Sequence, residues 1–334
     1  MRVLILGSSN PWRMEAAIAR AFERAGHVTM MLDDRRIKRA IGHALTQRWV
    51  LLQAKRFRAD FILLSKCMAL DIETVAALVR DTPNAMWYHD AAYFNDSSRP
   101  DIAHIVNVGR LSDRFFVTGF EAEWRALGLN AKFLPAAADR SIVPVAPDPR
   151  YAADISFTGT GYDESRAQLL IALSRRFRVR VWGTSWERWR DTLDWGGRAV
   201  EGREFTTVCS SSTLMLGIHP KQMHSADQAT SDRLWMTILA GGMYLGPYAN
   251  GVAGMLQDGV HCAWYTDVDS CIAQAERYLG DPELVARVRA QGEAFVRAHH
   301  TYDERIRHLL PQDVAGRRQT LHSNSENRAF SFPH

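Results

Sequence analysis

Several residues in the second half of the chain have the chemistry to hold an anionic ligand. Arg233 can pair with a phosphate, because a guanidinium matches phosphate oxygens in a forked geometry. The segment Gly159-Thr160-Gly161 follows an apolar run, and its glycines let a ligand approach the backbone closely. Gly251, Val252 and Ala253 are predicted to open a helix, whose free N–H groups attract phosphate. These residues together predict a phosphate-binding site.

Two further groups follow predicted strands in the same half. Trp182, Gly183 and Thr184 come at the end of one strand, where a base can stack or form hydrogen bonds. His219 follows another strand, from which it can reach a phosphate or a sugar. Each group also has a purely structural alternative, as turn glycines or loop residues.

A pair with acid–base chemistry lies in the first half. His89 and Asp90 follow the predicted strand Asn84–Tyr88, and both residue types can accept a hydroxyl proton near neutral pH. We predict Asp90 as the base, with His89 orienting it or a sugar. The alternative is an Asp/His pair that only caps the loop.

Positive charge is concentrated between Arg35 and Arg58, where eight Lys or Arg residues occur with no acidic residue. Residues Thr46–Arg58 within it predict a helix with Trp49, Val50, Leu52 and Phe57 buried. Three interpretations stay open, namely a solvated helix face, a surface for anionic lipid, and a phosphate-binding surface for nucleic acid.

Apolar strands alternate with amphipathic helices along both halves, which predicts two α/β domains with mainly parallel sheets. A segment with four prolines, from Pro135 to Pro149, predicts a linker. We place the domains at residues 1–147 and 148–311, followed by a polar tail at 312–334 that we expect to be disordered. Within this pattern we predict a strand at Ile102–Asn107, a helix at Val252–Asp258 and a terminal helix at His299–Leu310.

Three sequence patterns carry a resemblance. They are R-L-W-x-x-x-x-A-G-G from Arg233, G-V-x-G-x-x-x-D-G-x-H from Gly251, and A-H-H-T-Y-x-x-R at Ala298–Arg305. The chain resembles group 1 glycosyltransferases of the GT-B fold and is most similar to their spore-maturation-protein branch. The resemblance implies two Rossmann-like domains that face a central cleft, with the terminal helix crossing back to the first domain.

The resemblance also implies a function, the transfer of a sugar from a nucleotide-diphosphate sugar to an acceptor hydroxyl without a metal or another cofactor. The donor would contact the second-half residues named above, and the acceptor would enter through the first half. The expected acceptor contacts are Ser8, Arg35, Arg36, Arg48 and Lys55. An anionic lipid, a glycan and a modified DNA base are all possible acceptors.

One position departs from the family pattern. The family usually has R-x-F-E, whose glutamate holds a donor hydroxyl, and Met236 occupies that position here. Two alternatives to a transferase therefore stay open, a non-catalytic sugar- or polymer-binding protein and a nucleotide-sugar epimerase.

Composition is that of a soluble globular protein, with 46% apolar and 23% charged residues. No apolar run reaches the ~18 residues of a membrane span. The apolar run at the N-terminus is too short for a signal peptide, so we expect a cytoplasmic protein. The four cysteines form no C-x-x-C pair and are expected to be buried thiols.

Overall fold

The computed structural model describes residues 1–90, 100–219 and 231–311, which form two six-stranded parallel sheets covered by helices. The first sheet has the strand order β2-β1-β3-β4-β5-β6. Its strands are β1 (Arg2–Leu6), β2 (Val28–Leu32), β3 (Phe61–Leu64), β4 (Asn84–Tyr88), β5 (Phe115–Val117) and β6 (Ala131–Phe133). Its helices are α1 (Met14–Arg24), α2 (Asp34–Ile41), α3 (His43–Phe57), α4 (Ile72–Val79), α5 (Pro100–Leu111) and α6 (Glu121–Ala126).

The second sheet has the strand order β12-β11-β10-β7-β8-β9. Its strands are β7 (Ala153–Thr158), β8 (Val179–Trp182), β9 (Asp194–Trp195), β10 (Ser212–Leu216), β11 (Tyr244–Pro247) and β12 (Ala263–Tyr265). Its helices are α7 (Glu164–Ser174), α8 (Gly202–Ser211), α9 (Asp232–Leu239), α10 (Asn250–Ala253), α11 (Val268–Leu279) and α12 (Pro282–His299). Helix α13 (Tyr302–Leu309) follows α12 in the chain.

The order of the strands reverses once in each sheet. In the first sheet β1 lies between β2 and β3, and the later strands continue from β3. In the second sheet β7 pairs with β10 on one side and β8 on the other. Ligands of parallel sheets bind beyond the carboxyl ends of the strands at such reversals. The topology therefore marks the ends of β1, β3, β7 and β10 as the place for a site.

The last helix, α13, leaves the second domain and completes the core of the first. Tyr302, Ile306 and Leu309 pack in the same buried cluster as Val3 and Trp87. Arg24 of α1 forms an ion pair with Asp303 at 2.7 Å, and Arg114 donates to the carbonyl of Leu310 at 2.8 Å. The terminal helix predicted from the sequence pattern and its return to the first domain, which the resemblance implies, are confirmed.

Two predictions about elements and one about burial are wrong. Residues 102–107 belong to α5, because Ile102, Ile105 and Val106 recur at helical spacing and are buried on one side. The helix expected at 252–258 is the single turn α10, which ends before Gly254. Trp49 and Leu52 are exposed on α3, whereas Val50 is fully buried.

The predicted domain boundary falls in a long connection. Strand β6 ends at Phe133 and β7 begins at Ala153, with a 3-10 turn at Pro149–Tyr151 between them. The boundary at residue 147 stays a prediction, and the tail at 312–334 lies outside the described residues. Among the helices of the described ranges, none is both long and apolar enough to cross a bilayer.

A buried histidine lies where α12, α13 and α9 meet. The His300 ring stacks on Trp235 with centroids 4.3 Å apart, and Arg305 Nη2 donates to His300 Nδ1 at 2.7 Å. Burial, with the neighbouring Arg305 cation, lowers the pKa of His300 to about 3. The folded protein therefore keeps this imidazole neutral.

We predict that the protein loses stability as the pH falls below about 6.5, the ordinary pKa of an unfolded histidine. Below that pH the unfolded chain binds a proton that folded His300 does not, and at higher pH the two states are alike. The loss reaches about 2 kcal/mol at a pH of about 5. Urea unfolding at several pH values measures it. His300→Gln should flatten the profile and exposed His308→Gln should not; equal profiles for both variants would contradict the assignment.

Candidate functional site

A cleft of about 580 Å³ lies between the two domains, at the strand ends that the topology marks. The first domain contributes loops after β1, β3 and β4 and the start of α2. The second contributes the loops after β7 and β10 and the start of α9. The predicted residues that line the cleft are Ser8, Arg35, His89, Asp90, Thr160, His219 and Arg233. Residues absent from the prediction but present in the lining include Glu15, Lys66, Tyr162, Arg166 and Asp232.

The loop Gly159–Gly161 after β7 has room for glycine alone at its two ends. A Cβ on Gly159 would lie 2.3 Å from Arg233 Nη1 and 2.7 Å from the Phe157 ring. A Cβ on Gly161 would lie 2.3 Å from the carbonyl oxygen of Ser185. The absence of a side chain at Gly159 thus lets Arg233 lie directly against the loop.

Two guanidinium groups sit beside this loop. Arg233, in the first turn of α9, donates to the carbonyl of Thr158, and its Nε donates to Ser231 Oγ at 3.2 Å. Arg166, in the first turn of α7, is almost fully buried and donates to the carbonyl of Thr160 at 2.9 Å. Because both cations are anchored to the backbone beside one loop, this wall of the cleft is suited to a diphosphate. A basic residue shortly after a Gly-x-Gly turn was the available sequence signal for Arg166.

The segment Trp182–Thr184 supports the glycine loop from behind. The N–H of Gly159 donates to the carbonyl of Trp182 at 2.8 Å, and that of Gly161 donates to Thr184 at 2.9 Å. The Trp182 ring is buried outside the cleft lining, with its centroid 5.4 Å from that of Tyr151. The geometry therefore gives the segment a backbone role and does not place the Trp182 ring to stack on a base in this cleft.

The turn at Gly251–Ala253 is not part of the cleft lining. Val252 is buried, and the N–H groups of Val252 and Ala253 both donate to the carbonyl of Ala249, at 3.0 and 2.8 Å. Those donors are therefore engaged within the turn. The expected phosphate contact at this position therefore gains no support from the geometry.

His89 and Asp90 face the cleft from the end of β4 with different partners. Asp90 forms an ion pair with Lys66. Partial burial alone would raise the pKa of the Asp90 carboxyl, but Lys66, His89 and Arg35 outweigh it and lower that pKa. His89 Nε2 lies 3.8 Å from Glu15 Oε1, and buried Glu15 also accepts from Ser65 Oγ at 2.9 Å. Because its pKa is lowered, the Asp90 carboxylate is a poor proton acceptor.

The expected acceptor residues divide into two sets. Ser8 and Arg35 line the cleft, and Asp33 fixes the start of α2 by accepting from the N–H of Arg36 at 2.9 Å. Arg36, Arg48 and Lys55 are exposed and lie outside the cleft lining. The basic stretch is therefore mostly an outer surface that reaches the cleft only at α2.

Met236 faces a second cavity, of about 510 Å³, whose lining also includes Trp12 and Phe205. It does not line the cleft itself. Asp232, one helical turn earlier on α9, lines both cavities. The helix thus presents a carboxylate to the cleft although the glutamate of the family pattern is absent.

Residues 166–311 match a protein-family model described as glycosyl transferase-like. The match covers most of the second domain, which is the part of the chain that carries the sequence resemblance. No curated protein sequence matches the chain significantly.

Several solved structures share the whole architecture. HepE from Anabaena, in complex with UDP, is 13% identical, with a TM-score of 0.64 over 97% of this chain and 100% of that one. Sucrose-phosphate synthase from Thermosynechococcus elongatus is 10% identical, with a TM-score of 0.67 over 97% and 100%. An alpha-glucosyltransferase in complex with UDP and a 13-mer DNA containing an HMU base is 11% identical, with a TM-score of 0.60 over 90% and 96%. The likeness confirms the predicted GT-B fold.

We predict that Gly183→Ala destabilises the protein by more than about 3 kcal/mol. The new Cβ would lie 1.9 Å from the carbonyl oxygen of Gly159, at a φ of +143°. Gly197→Ala is the control, because its φ of +76° is also positive but nothing lies within 4 Å of its Cβ. It should cost about 1 kcal/mol. Denaturant unfolding measures the loss in the free energy of unfolding for both variants. Equal losses would mean that backbone strain alone, and not the contact with the loop, causes the destabilisation.

Proposed function

We propose that this protein is a glycosyltransferase that moves a sugar from a UDP-sugar to an acceptor hydroxyl. The observation that carries the proposal is the cleft between the domains, which has anchored cations on one wall and an imidazole beside a carboxylate on the other. The cations suit the diphosphate of a donor, and the imidazole suits a proton acceptor. The UDP bound in HepE and in the alpha-glucosyltransferase supports the choice of nucleotide.

The donor diphosphate binds beside the loop Gly159–Gly161. Arg233 and Arg166 neutralise its charge, and they stabilise the additional charge that develops on UDP as it leaves. His219, which is largely buried in the same wall, contacts the phosphate or the sugar. Tyr162 is 57% exposed beside Arg166 and offers a face on which the base can stack.

In the transfer, the acceptor oxygen bonds to the anomeric carbon while the bond from that carbon to the phosphate oxygen breaks. We assign the acceptor proton to His89, with Glu15 stabilising the imidazolium that forms. This reverses the sequence-based assignment, in which Asp90 is the base. Asp90 instead holds Lys66 at the wall of the cleft.

A hydroxyl group of the donor sugar needs a hydrogen-bond acceptor from α9, and the Met236 side chain offers none. We propose that Asp232 takes this part, because it lines the cleft one turn before Met236. The proposal has four further parts. They are transfer without a metal, a cytoplasmic location, the division of the chain at residue 147, and kinship with the spore-maturation-protein branch.

We predict that Arg233→Ala weakens UDP binding about 10- to 100-fold, the usual effect of losing a hydrogen bond to a charged group. Arg233→Lys should lose less, since it keeps the charge but not the fork. Titration calorimetry with UDP measures both affinities. Arg287→Ala is the control, because Arg287 is exposed on α12 outside the cleft lining. Unchanged affinity in folded Arg233→Ala would remove Arg233 from the donor site.

We predict that His89→Gln lowers the release of UDP from a UDP-sugar at least about 100-fold while UDP affinity is kept. Asp90→Asn should lower it less than about fivefold, as expected for a half-exposed ion pair. Coupled detection of UDP across a panel of UDP-sugars, with water as the acceptor, measures the rates. The opposite ranking would restore Asp90 as the base.

The same assay tests the alternative that the protein binds sugars without catalysis, which the presence of Met236 left open. Tight UDP binding with no UDP release from any sugar of the panel would favour a sugar-binding protein derived from a transferase.

A further inference from the structure

The outer surface of α3 combines exposed apolar and basic side chains. Leu45, Trp49 and Leu52 are 56%, 38% and 44% exposed and recur at spacings of four and three, so they form one stripe along the helix. Exposed Arg48 and Lys55 lie three positions from members of this stripe. We call these five residues, together with exposed Arg56, the docking face.

The docking face is distinct from the side of α3 that packs against the core of the first domain. Thr46 and Val50 are fully buried on a different side of α3, and Val50 packs in the core of the first domain. Three large apolar side chains in one row on a solvent-facing helix are more than scattered surface residues. A partner that buries them is therefore expected.

The neighbouring helix α2 extends the positive charge to the cleft. Arg36 and Lys38 are exposed there, and Arg35 and Arg39 line the mouth of the cleft. A partner on the docking face would thus lie beside the entrance through which a second substrate enters.

We propose that the docking face binds the surface of an anionic lipid bilayer and orients the cleft toward it. A bilayer offers negative headgroups above an apolar layer, and basic amphipathic helices with Trp and Leu on the apolar side bind it in this way. Nucleic acid offers the negative charge but no apolar layer to receive Leu45 and Leu52. Trp49 matches the preference of indole for the depth of the headgroups.

The experiment is flotation of the full-length protein with vesicles, in the absence of any nucleotide sugar. Because no donor is present, the result does not depend on the proposed transferase activity. Vesicles of phosphatidylcholine with phosphatidylglycerol should carry the protein upward, and phosphatidylcholine alone should not. High salt should weaken the binding.

Two sets of variants separate the two chemistries of the surface. Leu45→Ser with Trp49→Ser and Leu52→Ser should reduce binding to anionic vesicles at least about tenfold. Arg48→Gln with Lys55→Gln and Arg56→Gln should reduce it roughly fivefold for each charge. Val28→Ser with Val268→Ser is the control, because both valines are exposed elsewhere and binding should be kept. Circular dichroism checks that each variant is folded.

Several outcomes would overturn the proposal. These are no binding to anionic vesicles, equal binding to neutral ones, and loss of binding in the control variant. DNA binding that needs Arg48 but not Leu45, without vesicle binding, would indicate a nucleic-acid surface instead. A dimer that the serine variant dissociates, again without vesicle binding, would indicate a contact between two copies.

Discussion

The order of the strands is the constraint on which the rest of the molecule depends. In a parallel sheet, a crevice opens beyond the carboxyl ends of the two strands between which the strand order reverses. Both sheets have such a reversal, and the two crevices face one cleft. Gly159, Arg233, Ser8 and His89 come from distant parts of the chain, yet the topology brings them to one place. The chemistry of the site is thus a consequence of how the sheets are connected.

Much of this architecture was predictable from the sequence, because its strands are short apolar runs between turn residues. The strand at residues 84–88 is found at the predicted bounds. The prediction was wrong at residues 102–107, because so short an apolar stretch was taken for a strand although Ile102, Ile105 and Val106 recur at helical spacing in α5. Local sequence patterns therefore predict an element that lies between two turns, and they fail where tertiary packing selects between helix and strand.

The site was predictable in part. The sequence locates residues at strand ends but does not say which way a side chain points. Trp182 shows the difference, since its backbone holds the glycine loop while its ring is buried on another side. Glu15 shows the converse, because a carboxylate on the buried side of a helix carries no motif. Its approach to His89 depends on the packing of α1 beside β3 and β4.

The return of α13 to the first sheet has a consequence for synthesis on the ribosome. Val3, Ile5 and Trp87 are made before the second domain, but Ile306 and Leu309, which share their core, are made after it. The first domain therefore exposes part of its apolar core until the whole second domain has been translated. Domains usually fold in the order in which they are made, and exposed apolar surface invites aggregation in the interval. This chain completes its first domain only after its second, so it is most vulnerable while it is still nascent.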